Sequence, residues 1–218
     1  MEKYDVTKPV KIPVGMHKLN NDPGISFQLN RLVNMDGCDL SVAMEIGPAI
    51  KNAADFYSVL KSRADLELEC GHIKNAAALY RMSEFYTDWE DPNGLAAWKK
   101  ARELFFQYYA DFFSGERPLI ELVSVPYEGY SMPTLKFNAG SPKGTIVMHG
   151  GFDSSYEEFF PQMMYLRQLG YTVYLFEGPG QGACLRTDRR SPRHHSLRLW
   201  LADQSSVSVK KGKRHGFL

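Results

Sequence analysis

The chain has 218 residues, which is enough for one domain with an appendage or for two small domains. Its 44% hydrophobic and 13% aromatic content can supply a sizeable core and excludes a wholly disordered protein. The formal net charge of +1 hides an asymmetry, because residues 186–218 carry nine Lys or Arg against Asp188 and Asp203, a balance of +7, which leaves about −6 for residues 1–185.

The first residues and the cysteines indicate the compartment. The opening MEKYDVTKPV has no apolar segment of a secretion signal, and no apolar run approaches the roughly 18 residues of a membrane span. Cys38, Cys70 and Cys184 are odd in number, far apart and without a CxxC pair, which is typical of reduced thiols. We therefore expect a cytoplasmic protein without a membrane partner, and the sequence predicts no metal and no cofactor.

A helical region follows a poorly periodic lead-in. Turn signals interrupt residues 1–50, although residues 25–33 are predicted to form a short helix. His72 stands at a Gly-His break and is interpreted as a helix-end residue, not a catalytic one. The helices beside it are similar to a tetratricopeptide unit, but no second copy follows at a fixed period, which favours a helical appendage. Apolar periodicity predicts helices over residues 49–60 and 64–70 (joined or separate), 73–86 and 95–113.

From Leu119 the apolar period changes to two. Residues 122–125 alternate into Pro126, the chain turns at residues 128–130, and residues 135–137 return it. This pattern predicts an antiparallel hairpin that feeds the next strand.

The segment from Thr145 to Gly182 organises the rest of the chain. Residues 145–148 and 172–176 are predicted buried strands that each end at a glycine turn, and the helix between them has apolar residues at three- and four-residue spacing. Either Ser154 or Ser155 can form a capping box with the glutamate three residues on, and Gly170 ends the helix. The pattern predicts a β-α-β unit with parallel strands.

These segments carry a family resemblance. YEGYSMPTLKF, GTIVMHGGFDSSYEEFF and LRQLGYTVYLFEGPGQGACLR resemble the opening of an α/β-hydrolase, and GHIKNAAALYRMSEFY and AAWKKARELF are similar to the cap of the pseudooxynicotine hydrolase and fermentation-respiration switch protein (esterase) group. The resemblance covers about residues 20–186. It implies an α/β fold with an N-terminal helical cap and lead-in at 1–117, the first half of an α/β-hydrolase sheet at 118–186, and a basic irregular tail at 187–218.

The resemblance also implies a chemistry. The family carries out serine-mediated hydrolysis of an ester, or of a carbon–carbon bond next to a carbonyl, in a small-molecule substrate. Motif match places an oxyanion-hole backbone N–H at Phe152, with Gly151 allowing close approach. Asp153 is either a helix-start residue or a contact to substrate. His149 is expected to shape the oxyanion loop instead of acting as a base, and Glu177 either supports the site or is a solvated strand-end carboxylate.

The rest of the catalytic machinery is missing from this sequence. None of the sixteen serines has glycine two residues before and two after it, so there is no nucleophile elbow. Beyond Arg186, where the family continues with a helix, a strand and the elbow, the chain becomes basic and aperiodic. We interpret this as truncation or a frame shift, with a natural interaction tail as the alternative. We expect negligible esterase activity, marginal stability, and homodimerisation or aggregation through an exposed sheet edge.

Three other patterns are interpreted as chance. Gly178–Ala183 with Asp203 matches a dinucleotide motif, but no helix is expected to open there. Cys184 stands in half of a nucleophile elbow without a second glycine or a following helix, so a buried or loop cysteine is preferred. His215 precedes Gly-Phe, as in a catalytic histidine turn, but neither a serine elbow nor an acid strand comes before it.

A non-catalytic role is the alternative function. Residues 186–218 contain nine Lys or Arg, together with His194, His195, His215 and one tryptophan, and could bind nucleic acid or an acidic surface. A solvated tail is preferred, and nucleic acid is not expected as a partner. The helices of residues 50–113 could instead form an interaction module.

Overall fold

The computed structural model describes residues 10, 12, 14–35, 37–88, 90–128 and 130–187. The predictions for the basic tail, for Asp203 and for His215 lie outside the described residues. The helices are α1 (Pro23–Asn34), α2 (Leu40–Ile46), α3 (Ala53–Glu69), α4 (Ile73–Ser83), α5 (Pro92–Tyr108), α6 (Phe160–Gln168) and α7 (Gly182–Thr187). The strands are β1 (Ile120–Tyr127), β2 (Tyr130–Phe137), β3 (Gly144–His149) and β4 (Tyr171–Phe176).

Helices α1 to α5 form a helical block with its own apolar core. The side chains of Asp22, Asn52 and Asp91 accept hydrogen bonds from first-turn N–H groups, which fixes where α1, α3 and α5 begin. The predicted helix at 25–33 is confirmed as α1, and His72 is the N-cap residue of α4, as its helix-end interpretation requires. The interior is filled by apolar residues from all five helices, among them Leu29, Val42, Phe56, Leu60, Leu79, Met82 and Leu104.

The structure decides one open interpretation of this block and corrects another. Of the one or two helices predicted over residues 49–60 and 64–70, a single helix forms, because α3 runs unbroken from Ala53 to Glu69. The lead-in is also more regular than its turn signals suggest, since α1 and α2 both lie within residues 1–50. Their buried residues pack into the common core of the block, so tertiary packing outweighs the weak local periodicity.

The sheet has the strand order β1-β2-β4-β3. The antiparallel β1–β2 hairpin and the parallel β3–β4 pair are confirmed. The hairpin leads into β3 along the chain, as predicted, but it does not pair with β3. β2 pairs antiparallel with β4, because the crossover through α6 places β4 between β2 and β3. The predicted class, an α/β sheet preceded by a helical cap, is confirmed.

A second apolar cluster joins the sheet to α5 and α6. The ring of Phe160 at the start of α6 is its centre, with ring-centroid distances of 4.1 Å to Tyr109, 5.1 Å to Phe105 and 5.4 Å to Phe137. Helix α5 therefore serves both clusters, because Leu104 faces the core of the helical block while Phe105 faces the sheet. The two parts of the chain share this helix.

The ends of the β-α-β unit follow the sequence signals. The capping box before α6 is made by Ser155 and Glu158, which decides between the two candidate serines. Gly170 takes a φ of 92° directly after the helix, the left-handed conformation that favours glycine. Along the described part of the chain, β3 has a neighbour on one side alone and Val147 is 67% exposed, so the prediction that residues 145–148 form a buried strand is wrong. No helix in the described ranges has the length and hydropathy to cross a bilayer.

Candidate active-site cleft

The turn after β3 is tied to the turn after β4 by one buried amide. Gln181 donates from Nε2 to the carbonyl oxygens of Gly150 (2.8 Å) and Gly151 (2.6 Å), and its Oε1 accepts from the Gly178 N–H at 2.9 Å. With both carbonyls engaged, the turn keeps a fixed orientation. Phe152 follows directly, and its backbone N–H has no acceptor among the described residues. An oriented donor left without an internal partner is what an oxyanion site needs.

Close packing at this turn makes Gly150, not Gly151, the obligatory glycine. A Cβ on Gly150 would lie 1.9 Å from Ser154 Oγ and 2.6 Å from the ring of Phe159. A Cβ on Gly151 would meet Asp153 Oδ1 at 3.4 Å, which is ordinary contact. Ser154 occupies the space beside Gly150 because its hydroxyl donates to the Gly151 carbonyl at 2.7 Å. The sequence motif singled out Gly151, whereas packing within the protein requires the glycine at Gly150.

The next two residues of the turn have different surroundings. The side chain of Phe152 is 63% exposed. The carboxylate of Asp153 forms an ion pair with Arg31 of α1, with Nη1 and Oδ2 2.7 Å apart. Partial burial would raise the pKa of Asp153, but the hydrogen bond and charge of Arg31 outweigh it and hold this pKa below its usual range. The turn is thus fastened to the helical block.

A buried row of ion pairs, here called the polar seam, continues from this point. Glu158 is fully buried and accepts from Arg31 Nε at 2.6 Å and from Arg81 Nη2. Arg102 of α5 binds Glu157 at 2.5 Å and Glu177 at 2.7 Å. In these pairs the helical block supplies the arginines and the β-α-β unit supplies the carboxylates. Such pairs fix relative position strongly, since one charge left alone in the interior is costly.

Aromatic rings enclose Arg102. Its guanidinium lies 4.4 Å from the ring centroid of Trp98 and 4.3 Å from that of Tyr156. Burial opposes the charged form, but Glu157 and Glu177 hold the pKa of Arg102 well above its usual value. Arg102 is therefore the charged centre of the polar seam, although no sequence pattern singled it out.

Glu177 is buried, so its interpretation as a solvated strand-end carboxylate is wrong. Its side chain accepts from the N–H groups of Tyr156 (3.0 Å) and Ala183 (2.8 Å) as well as from Arg102. Burial raises the pKa of Glu177, and although Arg102 acts against this, the neighbouring Glu157 adds to the rise. The carboxylate links the polar seam to the turn after β4.

The same carboxylate explains a helix that the sequence did not predict. The N–H of Ala183 is capped by Glu177, so α7 opens at Gly182 even though local residues lack a helix-start signal. Gly182 has a φ of 36°, and a Cβ there would lie 2.1 Å from Glu177 Oε1, so a glycine is required. Cys184 in this helix is buried, as preferred, with Sγ 3.1 Å from the Glu177 carbonyl oxygen.

The remaining polar side chains near Phe152 have structural partners. His149 Nδ1 lies 2.8 Å from the carbonyl oxygen of Gly150 and its ring packs 5.6 Å from that of Phe176, which fits the expectation that it shapes the loop. Ser155 Oγ accepts from Arg81 Nε at 2.9 Å. Ser154 donates to the Gly151 carbonyl oxygen, so both serines take part in contacts of this turn.

A cleft of about 160 Å³ lies between the helical block and this turn. Aromatic and aliphatic side chains form much of its wall, and arginines and the turn after β3 supply polar groups. Phe152 belongs to its lining, so the cleft reaches the turn after β3. The lining is Arg81, Glu84, Phe85, Thr87, Trp98, Phe152, Asp153, Ser154, Ser155, Gly182, Leu185 and Arg186.

Comparisons with known proteins agree with this arrangement. No protein-family model matches the chain. The α/β hydrolase psoB of Aspergillus fumigatus is 38% identical over 76 residues, which are 31% of this chain and 17% of that protein. The structure of wild-type AbyA5 superposes with a TM-score of 0.52 at 17% identity over 84% of this chain and 51% of that one. A structure of 2,6-dihydroxy-pseudo-oxynicotine hydrolase gives 0.44 at 18% identity over 82% and 54%, which is too loose to support a conclusion.

The sheet order, the helical block and the superposition on AbyA5 show an α/β fold with a helical cap, and the chain is similar in sequence to a protein named as an α/β hydrolase. The resemblance that the sequence motifs indicated is thereby confirmed. Both psoB and AbyA5 are longer than this chain. The chain spans 17% of the length of psoB and about half (51%) of the AbyA5 chain.

Proposed function

We propose that this chain forms the cap and the oxyanion half of a serine hydrolase that acts on an ester, or on a carbon–carbon bond next to a carbonyl, in a small molecule. The observation that carries the proposal is the backbone N–H of Phe152, which has no acceptor among the described residues and belongs to a residue that lines the cleft. Gln181 holds the preceding carbonyls, so the donor is oriented before substrate arrives. Preorganised donors of this kind stabilise the anionic oxygen of a tetrahedral intermediate.

The proposed roles follow from the contacts. Gly151 and Phe152 supply the oxyanion turn. One Asp153 oxygen is bound to Arg31, so we assign Asp153 to positioning this turn against the helical block, and its exposed part remains available to substrate. The division into a cap at 1–117, a partial hydrolase domain at 118–186 and a tail at 187–218 stays a prediction, in which α5 connects cap and sheet.

We further propose that these 218 residues do not turn over esters by themselves. No Gly-x-Ser-x-Gly elbow occurs in the sequence, and the serines beside Phe152 serve the turn and Arg81. The missing elbow favours one alternative, a non-catalytic protein that binds ligands or partners through the same cleft, the helical block or the basic tail.

Ester turnover tests this proposal. Purified protein is assayed with p-nitrophenyl acetate and butyrate, with and without a serine-directed fluorophosphonate, and an active serine esterase serves as the positive control. We expect turnover no faster than that of an equal concentration of an unrelated protein and no covalent phosphonate adduct by mass spectrometry. Turnover that the phosphonate abolishes would show that a nucleophile is present and would overturn the proposal.

A further inference from the structure

Arg186 in α7 has a buried nitrogen for which the described residues provide no acceptor. Its side chain is 9% exposed, and its Nη2 forms an ion pair with Glu84 of the helical block. Its Nη1 is buried and has no hydrogen-bond partner among the described residues. An unsatisfied buried donor destabilises the folded state, and more strongly when it is charged. A ligand that brings an acceptor to this nitrogen is therefore favoured.

The charges around Arg186 favour an acceptor that is negatively charged. Burial lowers the pKa of Arg186, Glu84 acts to raise it, and the nearby positive charges of Arg81 and Arg102 lower it further. Positive charges that lie near one another repel more strongly where little water is present to screen them. An anion at Arg186 would reduce that repulsion and form a charge-assisted hydrogen bond.

The space next to Arg186 suits a ring. Arg186 lines the cleft of about 160 Å³, whose apolar wall comprises Phe85, Trp98, Phe152 and Leu185. A cavity of about 150 Å³ with apolar walls holds a benzene ring in another protein. Three of the four apolar side chains are aromatic and can pack against a planar ligand.

We propose that the cleft binds a small aromatic carboxylate, with its ring against the aromatic wall and a carboxylate oxygen accepting from Arg186 Nη1. The identification of this ligand with part of the substrate rests on the proposed function. The binding itself does not, because it needs no nucleophile. The arrangement would give the cleft a preference for acids over neutral compounds of the same shape.

Calorimetric titration with benzoate tests the proposal, with benzamide as a neutral compound of the same shape. Benzoate is expected to bind saturably and at least tenfold more tightly than benzamide. Arg186→Gln is expected to weaken benzoate at least tenfold. The matched control is Arg63→Gln, which removes another arginine paired with carboxylates, Glu45 and Glu67, in the helical block but outside the cleft. The control should leave benzoate affinity within twofold.

A second variant covers the case in which Arg186→Gln fails to fold. Leu185→Trp fills the cleft from its apolar side and leaves the arginines in place, and circular dichroism reports whether it folds. It should also abolish saturable benzoate binding. Undiminished binding to either folded variant, equal binding of benzamide, or no saturable binding to the unmodified protein would overturn the proposal. If benzoate binds and esters are not turned over, the first result supports this binding proposal. The second result supports the absence of a nucleophile, and each can fail without the other.

Discussion

The core of the helical block and the polar seam contribute to the structure in different ways. The core consists of close-packed apolar side chains such as Leu29, Leu60 and Leu79, all with no exposed surface. Its stabilisation grows with buried apolar area and tolerates many arrangements of similar volume. The polar seam buries arginine–carboxylate pairs, which add little net stability but strongly penalise any arrangement that separates them.

The difference shows how a helical cap can be positioned over a cleft. Apolar contacts of α5 with the sheet hold the two parts together, as the cluster around Phe160 shows. The polar seam then selects the orientation in which Arg31 reaches Asp153 and Glu158, directly beside Phe152. We infer that the apolar core supplies most of the stability and the polar seam supplies the geometry of the site.

The strongest way to break the polar seam is Arg102→Met. The substitution keeps much of the side-chain volume but leaves Glu157 and Glu177 buried without their cation, so we expect a loss of about 3–5 kcal/mol in the free energy of unfolding. Lys100→Met on the same helix is the control, because its pair with Glu103 is largely exposed, and it should cost less than about 0.5 kcal/mol. Urea unfolding followed by circular dichroism measures both. Equal losses would show that the seam is no different from a surface pair.

The apolar core is tested by Leu60→Ala in α3. Leu60 has no exposed surface, so the lost burial and the cavity together are expected to cost about 2–5 kcal/mol. Leu66→Ala in the same helix removes a side chain that is 55% exposed and should stay within about 0.5 kcal/mol of the unmodified protein. The same unfolding measurement applies. If the two variants lost similar free energies of unfolding, the difference in burial between Leu60 and Leu66 would be contradicted.

The smallest expected effect concerns the exposed end of the polar seam and pH. Arg31 lowers the pKa of Asp153 in the folded state, so the pair's contribution is present above the ordinary aspartate pKa of about 3.9 and is lost as pH falls through the lowered value. Because the Asp153 side chain is 52% exposed, we expect at most about 1 kcal/mol. Unfolding at pH 6 and pH 3 should show a smaller loss of stability on acidification for Asp153→Asn than for the unmodified protein. If the variant and the unmodified protein lose the same free energy of unfolding between pH 6 and pH 3, the ion pair makes no such contribution.

The sequence predicted the parts of the fold that rest on local periodicity. The amphipathic helices, the hairpin, the β-α-β unit and the Ser155 capping signal all follow from residue spacing over short distances. It did not predict the polar seam, since Arg31 and Glu158 are 127 residues apart and Arg102 and Glu177 are 75 apart. Neither spacing forms a recognisable pattern.

The sequence likewise predicted only part of the candidate site. Motif resemblance led to the turn at Phe152, but Gln181, which fixes that turn, lies after the next strand and carries no local signal. Helix α7 was missed because its cap is the side chain of Glu177, whose burial depends on the helical block. Tertiary contacts decide these features, and they are invisible to periodicity.

The most direct test of the account is whether the Phe152 amide binds an oxyanion. In protein labelled with nitrogen-15, the amide resonances are followed by NMR during titration with phenylphosphonate, and the Gly140 amide serves as a reference distant in sequence from the turn. We expect a saturable downfield shift of the Phe152 amide proton, because the amide would donate a hydrogen bond to a phosphonate oxygen. A Phe152 resonance that moves no more than that of Gly140 at saturating phenylphosphonate would contradict a preformed oxyanion site.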